Sequence, residues 1–108
     1  HAVEAASKFE LLHGEAVAAG MSLASDLSVQ MGMLPKPDSE RIRRLLVRAG
    51  LPVEVKGIPS ARLRELMSLD KKARDGRLHF ILLERIGSAT IRADVLPLVL
   101  DRTLAQVD

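Results

Sequence analysis

Apolar residues recur at three- and four-residue steps through most of this chain, and the pattern gives way once, after Gly76, to an almost continuous apolar run. That change of period constrains the fold most. Three-to-four spacing lines one face of an α-helix, whereas a short apolar run between glycines suits a buried strand. His1 to Ser7 reads as the tail of a helix whose beginning is absent. From His13 to about Met33 the residues suit one long helix with Val17, Met21, Ala24, Leu27 and Met31 as its apolar stripe. The first half of that helix is small (Gly14, Ala16, Ala18, Ala19, Gly20), so it is expected to be buried and tightly packed against another backbone.

Pro35-Lys36-Pro37 interrupts the chain, and proline is tolerated in a first helical turn. Ile42, Leu45, Leu46 and Ala49 then form a second stripe, ended by Gly50 with Pro52 beyond. After a linker from Val53 to Pro59, Ser60 is a candidate N-cap for a helix carrying Leu63, Leu66 and Met67 and running into Asp70-Lys71-Lys72. Arg77 to Glu84 is the expected strand, Ile86-Gly87-Ser88 its turn and residues 88–92 the returning strand. Asp94 is a candidate N-cap for a last helix with Val95, Leu98, Val99 and Leu104, Pro97 falling in its first turn. The expectation is a mainly α, multi-helix domain with at least five helical segments and one small antiparallel β hairpin.

Composition bounds the function. A chain of 108 residues supports one core, so residues 1–108 are read as a single domain. Sixteen Lys+Arg against fourteen Asp+Glu leave a net charge of only +2, which gives no strong electrostatic footprint for nucleic acid. Phe9 and Phe80 are the only aromatic residues, so base-stacking platforms are lacking. Without cysteine there is no disulfide framework, thiolate metal site or Cys nucleophile, which fits a reducing, cytoplasmic setting. No apolar run approaches the roughly 20 residues of a membrane span, and no signal peptide is visible. The first residue is His1 rather than Met, which suggests that residues precede it.

Few residues carry chemistry. His13 opens the long helix, where a neutral imidazole is able to bind a divalent metal through one ring nitrogen, but zinc chemistry takes three or four ligands. His1 stands twelve residues earlier across a break, so spacing does not pair the two. On spacing alone a structural or solvent-facing role for His13 is the commoner case. Lys71 and Lys72, at a helix end, either complement the negative end of the helix dipole or clamp an anion. Arg41, Arg43, Arg44 and Arg48 read as a solvated face, because Ile42, Leu45 and Leu46 are needed for the core. His79, between Leu78 and Phe80, reads as structural.

Taken together, the segments resemble the carboxy-terminal domain of the 3-dehydroquinate synthase family. His13-Gly14-Glu15-Ala16-Val17-Ala18-Ala19-Gly20-Met21 resembles its HGEAVAxGM signature at every defined position. Arg48-Ala49-Gly50-Leu51-Pro52 matches its R-A-G-L-P helix end, with Val47 departing from the polar residue common there. Asp70-Lys71-Lys72 followed by Gly76 resembles its D-K-K-x-x-x-G segment, and Phe80 to Leu83 with Ile86-Gly87 the strand and turn after it. His1-Ala2 resembles the end of its G-H-T-x-G-H-A segment, whose first metal-binding histidine would lie just upstream.

The resemblance implies that His13 is a ligand of a catalytic divalent metal, Zn or Co, whose other ligands lie outside this chain. It implies that His1 contacts substrate and takes part in catalysis. By the same likeness, Lys71-Lys72 supply the lysine that binds the anionic substrate, Lys72 being favoured as the catalytic one. NAD would be bound mainly by an amino-terminal domain absent from this chain. The implied reaction is a lyase step of the shikimate pathway. It converts 3-deoxy-D-arabino-heptulosonate 7-phosphate to 3-dehydroquinate with loss of phosphate. The family implies a homodimer acting on a small phosphorylated sugar acid, with neither nucleic acid nor membrane as partner. Residues 1–108 alone are expected to be inactive. A related sugar-phosphate cyclase and a stand-alone helical interaction module are the alternatives.

Overall fold

The computed structural model describes residues 1–8, 10–73 and 75–107, the side chains of residues 72 and 73 excepted. In chain order the elements are α1 (Ala2–Ala6), α2 (His13–Gln30), α3 (Lys36–Arg48), α4 (Ser60–Ala73), β1 (Phe80–Arg85), β2 (Ser88–Arg92), α5 (Pro97–Leu104) and a 3-10 turn (Ala105–Val107). The mainly helical architecture with one antiparallel hairpin is therefore as the sequence predicts. Helix α2 is the hub: α1, α3, α5 and β1 all pack against it, while α1 also lies on α4. Among the described residues no helix is long and apolar enough to cross a membrane.

The core gathers Val3 of α1, Ala16 and Ala19 of α2, Val55 of the linker, Leu63 of α4 and Leu104 of α5. The predicted stripe on α2 is only partly right. Leu27 is buried, but Val17 is 44% and Met21 49% exposed, and the buried face consists of Ala16, Ala18, Ala19, Ser22, Ser25 and Ser28 as well. Small side chains let neighbouring elements sit close to the α2 axis, and Val17 and Met21 are left on the outer face. The two glycines do not share in that packing, since a Cβ on Gly14 or Gly20 meets no described atom within 4 Å. On α3, Leu46 is buried whereas Leu45, expected in the same stripe, is 67% exposed.

Hydroxyls take the place of methyls where α2 meets α3 and β1. Ser25 Oγ lies 3.0 Å from Ser39 Oγ, and Ser39 donates to Asp26 Oδ1 at 3.0 Å. Ser28 Oγ donates to the Ala24 carbonyl at 2.8 Å and accepts from the Leu83 amide at 2.9 Å. Buried polar groups need such partners, and here they tie the hairpin to the hub helix.

Chain punctuation follows local chemistry. Helix α3 ends on Gly50 at φ +77°, with the Gly50 amide on the Val47 carbonyl and the Leu51 amide on the Leu46 carbonyl, a Schellman ending that favours glycine. Gly87 turns the hairpin at φ +92°. The strands pair Phe80 with Arg92, Ile81 with Ile91, Leu82 with Thr90 and Leu83 with Ala89, and one extra residue on β1 follows Leu83.

Four predicted boundaries move. The long helix expected to about Met33 ends at Gln30, just before Gly32 at φ +74°. The strand expected from Arg77 starts at Phe80, because β2 pairing ends at Arg92 and leaves residues 77–79 without a partner strand. The cap of α5 is Leu96 rather than Asp94, with Pro97 in the first turn as expected. Asp94 instead receives the Arg92 guanidinium, Nε to Oδ1 at 2.7 Å and Nη2 to Oδ2 at 2.6 Å. Ser60 is the first residue of α4, and the Pro59 carbonyl accepts from the Leu63 amide at 3.3 Å, so the cap position falls one residue earlier.

Candidate functional site

Helix α2 begins at His13 because Glu15 reaches back and accepts the Leu12 amide at 2.9 Å, satisfying one of the donors that a helix start leaves free. The His13 side chain is 76% exposed. Its Nδ1 stands 3.2 Å from Glu4 Oε2, a carboxylate that is only 22% exposed. A carboxylate can only accept, so the contact is a hydrogen bond when Nδ1 carries the imidazole proton. The Nε2 lone pair then faces away from the acid.

This suits one imidazole ligand of a divalent metal, since such ligands commonly donate their other ring N–H to a carboxylate. It is one ligand, not a centre. Among the described residues no group of three or more His, Asp or Glu side chains could hold a metal ion.

His1 stands at the N-terminal edge of α1, exposed, with its carbonyl accepting the Ala5 amide at 3.0 Å. It lines a cavity of about 340 Å³ whose other walls include Leu66, Asp70, His79 and Phe80. His79 has its Nδ1 3.1 Å from the Arg77 carbonyl. Exposed Lys71 lines an adjoining cavity of about 320 Å³ with Arg64, Ser68, Arg77 and Asp101. The two cavities share Met67, Leu78, Phe80 and Leu100 as walls. In the second, Arg64 is ion-paired with Asp101, and the buried Arg64 Nε has no hydrogen-bond partner among the described residues. The Lys72 side chain lies outside the described residues.

The fold thus sets His1 and Lys71 on neighbouring cavities at the end of α4 and leaves His13 on neither. A separate hollow of about 940 Å³, lined by residues 6–8, 10–11 and 51–58, contains none of His1, His13 and Lys71. The basic residues of α3 are a solvated face as expected, Arg43 reaching Glu54 at 3.0 Å. Glu4 is the site residue that sequence reasoning missed. Periodicity relates residues within one element, and nothing in it links α1 to the start of α2.

Comparison with known proteins gives this arrangement its context. A family profile described as 3-dehydroquinate synthase C-terminal matches residues 1–73. The 3-dehydroquinate synthase of Nitrosospira multiformis is 46% identical over 107 residues, 98% of this chain and 29% of that protein. The one from Halorhodospira halophila is 45% identical over 107 residues, 98% of this chain and 30% of that protein. A solved 2-epi-5-epi-valiolone synthase from Streptomyces hygroscopicus, with NAD+ and Zn2+ bound, superposes with a TM-score of 0.85 at 32% identity over 97% of this chain and 29% of its own. Fold and matches define the class, a helical domain of the dehydroquinate synthase-like fold. Within that class, the chain belongs to the 3-dehydroquinate synthase C-terminal family. It spans less than a third of the length of the relatives it matches.

Proposed function

We propose that this chain is the metal- and substrate-presenting part of a 3-dehydroquinate synthase. The activity belongs to a longer polypeptide that converts 3-deoxy-D-arabino-heptulosonate 7-phosphate to 3-dehydroquinate with loss of phosphate. The observation that carries the reading is His13, the exposed histidine of the HGE motif, backed by Glu4 at 3.2 Å with one ring nitrogen free. Relatives named 3-dehydroquinate synthase at about 45% identity support it.

In this reading His13 offers Nε2 to the divalent metal, and the remaining ligands come from the rest of the polypeptide. A bound metal supplies Lewis acidity that stabilises negative charge developing on a substrate oxygen, and bound NAD supplies hydride acceptance and return. This chain's own residues position the substrate. Among the described residues Lys71, Arg64 and Arg77 line one cavity against a single carboxylate, Asp101, so the cleft carries net positive charge suited to a phosphate or carboxylate group. His1 offers a polar contact from the adjoining cavity.

A second reading, a related cyclase closing a different carbocycle, is favoured by the likeness to the valiolone synthase. The test is to supply the full-length protein, with NAD and Zn2+ or Co2+, either the heptulosonate phosphate or other phosphorylated sugars. Phosphate release and cyclised product are then followed. Dehydroquinate from the heptulosonate phosphate supports the first reading, and turnover only of another sugar phosphate supports the second.

A further inference from the structure

We propose that Glu4 is a positioning residue for His13, fixing the tautomer and orientation of the imidazole so that Nε2 is presented to the metal. The inference rests on the reading of His13 as a ligand and deepens it.

The two residues come from different elements, the third residue of α1 and the first of α2, and meet at 3.2 Å across a loop. Neither end of this contact is free to drift. Helix α1 is pinned by Val3 in the core and packs on both α2 and α4. The Ser7 hydroxyl donates to the Glu4 carbonyl at 2.8 Å and so fixes the backbone behind the carboxylate. On the other side, the Glu15 carboxylate holds the Leu12 amide and sets where α2 starts, and with it the position of the His13 Cα.

Exposure runs in opposite senses along the pair. The carboxylate is mostly covered and the imidazole mostly open, at 22% and 76% exposure. An acid that only shields a surface charge does not need a covered seat. An acid that aims a ring does, because its own position has to be set before it can set another.

Donor and acceptor roles decide the chemistry. Ionised Glu4 has no proton to give, so it selects the tautomer with hydrogen on Nδ1 and leaves the lone pair on Nε2. Without it, both tautomers and free rotation of the ring compete with ligation. Loss of such a supporting partner typically weakens metal binding by about 10- to 100-fold.

The test uses the full-length protein with four chains: wild type, Glu4→Ala, Glu4→Gln and His13→Ala. Zn2+ affinity is read by chelator competition. In the metal-free proteins the His13 ring is read from its 15N shifts. Wild type should show a proton on Nδ1. Glu4→Ala should lose that preference and bind Zn2+ about 10- to 100-fold more weakly, with its circular dichroism unchanged. Glu4→Gln keeps an oxygen acceptor and should fall between the two, which also serves if the alanine variant does not fold. Zn2+ affinity and ring shifts that stay at wild-type values in both Glu4 variants, while His13→Ala loses the metal, would overturn the proposal. Metal binding unaffected by His13→Ala removes the ligand reading instead, and the ring shifts then still report whether Glu4 sets the tautomer.

Discussion

Ser28→Ala removes a single oxygen on which the hairpin depends. Ser28 has no exposed surface, and its hydroxyl accepts the Leu83 amide at 2.9 Å while donating to the Ala24 carbonyl at 2.8 Å. In the variant the Ala24 carbonyl loses only this side-chain donor, so that loss costs little. The Leu83 amide is different. Its ladder partner residue is Ala89, and the amide turned to α2 has Ser28 as its acceptor. Leaving a part-buried N–H without an acceptor costs up to about 1–3 kcal/mol. The change is local, so amide hydrogen exchange is the assay. Leu83 should exchange about 5- to 150-fold faster in the variant, with neighbouring β1 amides following if the hairpin opens as a unit. Exchange at Leu83 within about twofold of wild type would refute the reasoning and show that packing around Leu82, not the serine, holds β1 on α2.

Leu63 has no exposed surface and sits where α4 meets the core. Leu63→Ala should therefore cost about 2–5 kcal/mol in denaturant unfolding. Lys71→Met and Lys72→Met, made in the full-length protein, should lower kcat/KM by about 30- to 1000-fold, Lys72 the more severely, if these lysines bind the substrate's anionic groups. Unchanged kinetics in both would make them helix-end charges. The carboxyl of Asp94 is held below the ordinary carboxylate range, first by its hydrogen bond from Arg92. A lowered acid stabilises above its unfolded pKa and loses that contribution as pH falls through its folded pKa, so the pair helps at neutral pH and fails only in acid. A carboxyl NMR titration should place the Asp94 midpoint below 3.8 and move it upward in Arg92→Gln.

The sequence was most legible where one residue type decides local geometry. Gly50 followed by Pro52 marked the end of α3, and Gly87 marked the hairpin turn, because their backbone conformations favour glycine. It was least legible where polar residues do a core's work. Ser25, Ser28 and Ser39 are buried, yet a pattern built on apolar spacing passes over them and assigns Val17 and Met21 to a face they do not bury. Asp94 was misplaced for a related reason. An acidic residue before a helix suits a cap, but Arg92 two residues earlier offered a charged bidentate partner instead. Of the site, the resemblance brought His13 forward, while spacing alone favoured a structural or solvent-facing role for it. The acid that supports it came from another element and was visible only in three dimensions.

The assignment of His13 is tested most directly by the zinc content of the full-length protein after exhaustive dialysis, wild type against His13→Ala. The wild type should retain stoichiometric zinc and the variant should retain almost none, with the same circular dichroism spectrum, because removing one imidazole opens the centre without touching the core. Equal zinc in both would contradict the assignment of His13 as a metal ligand.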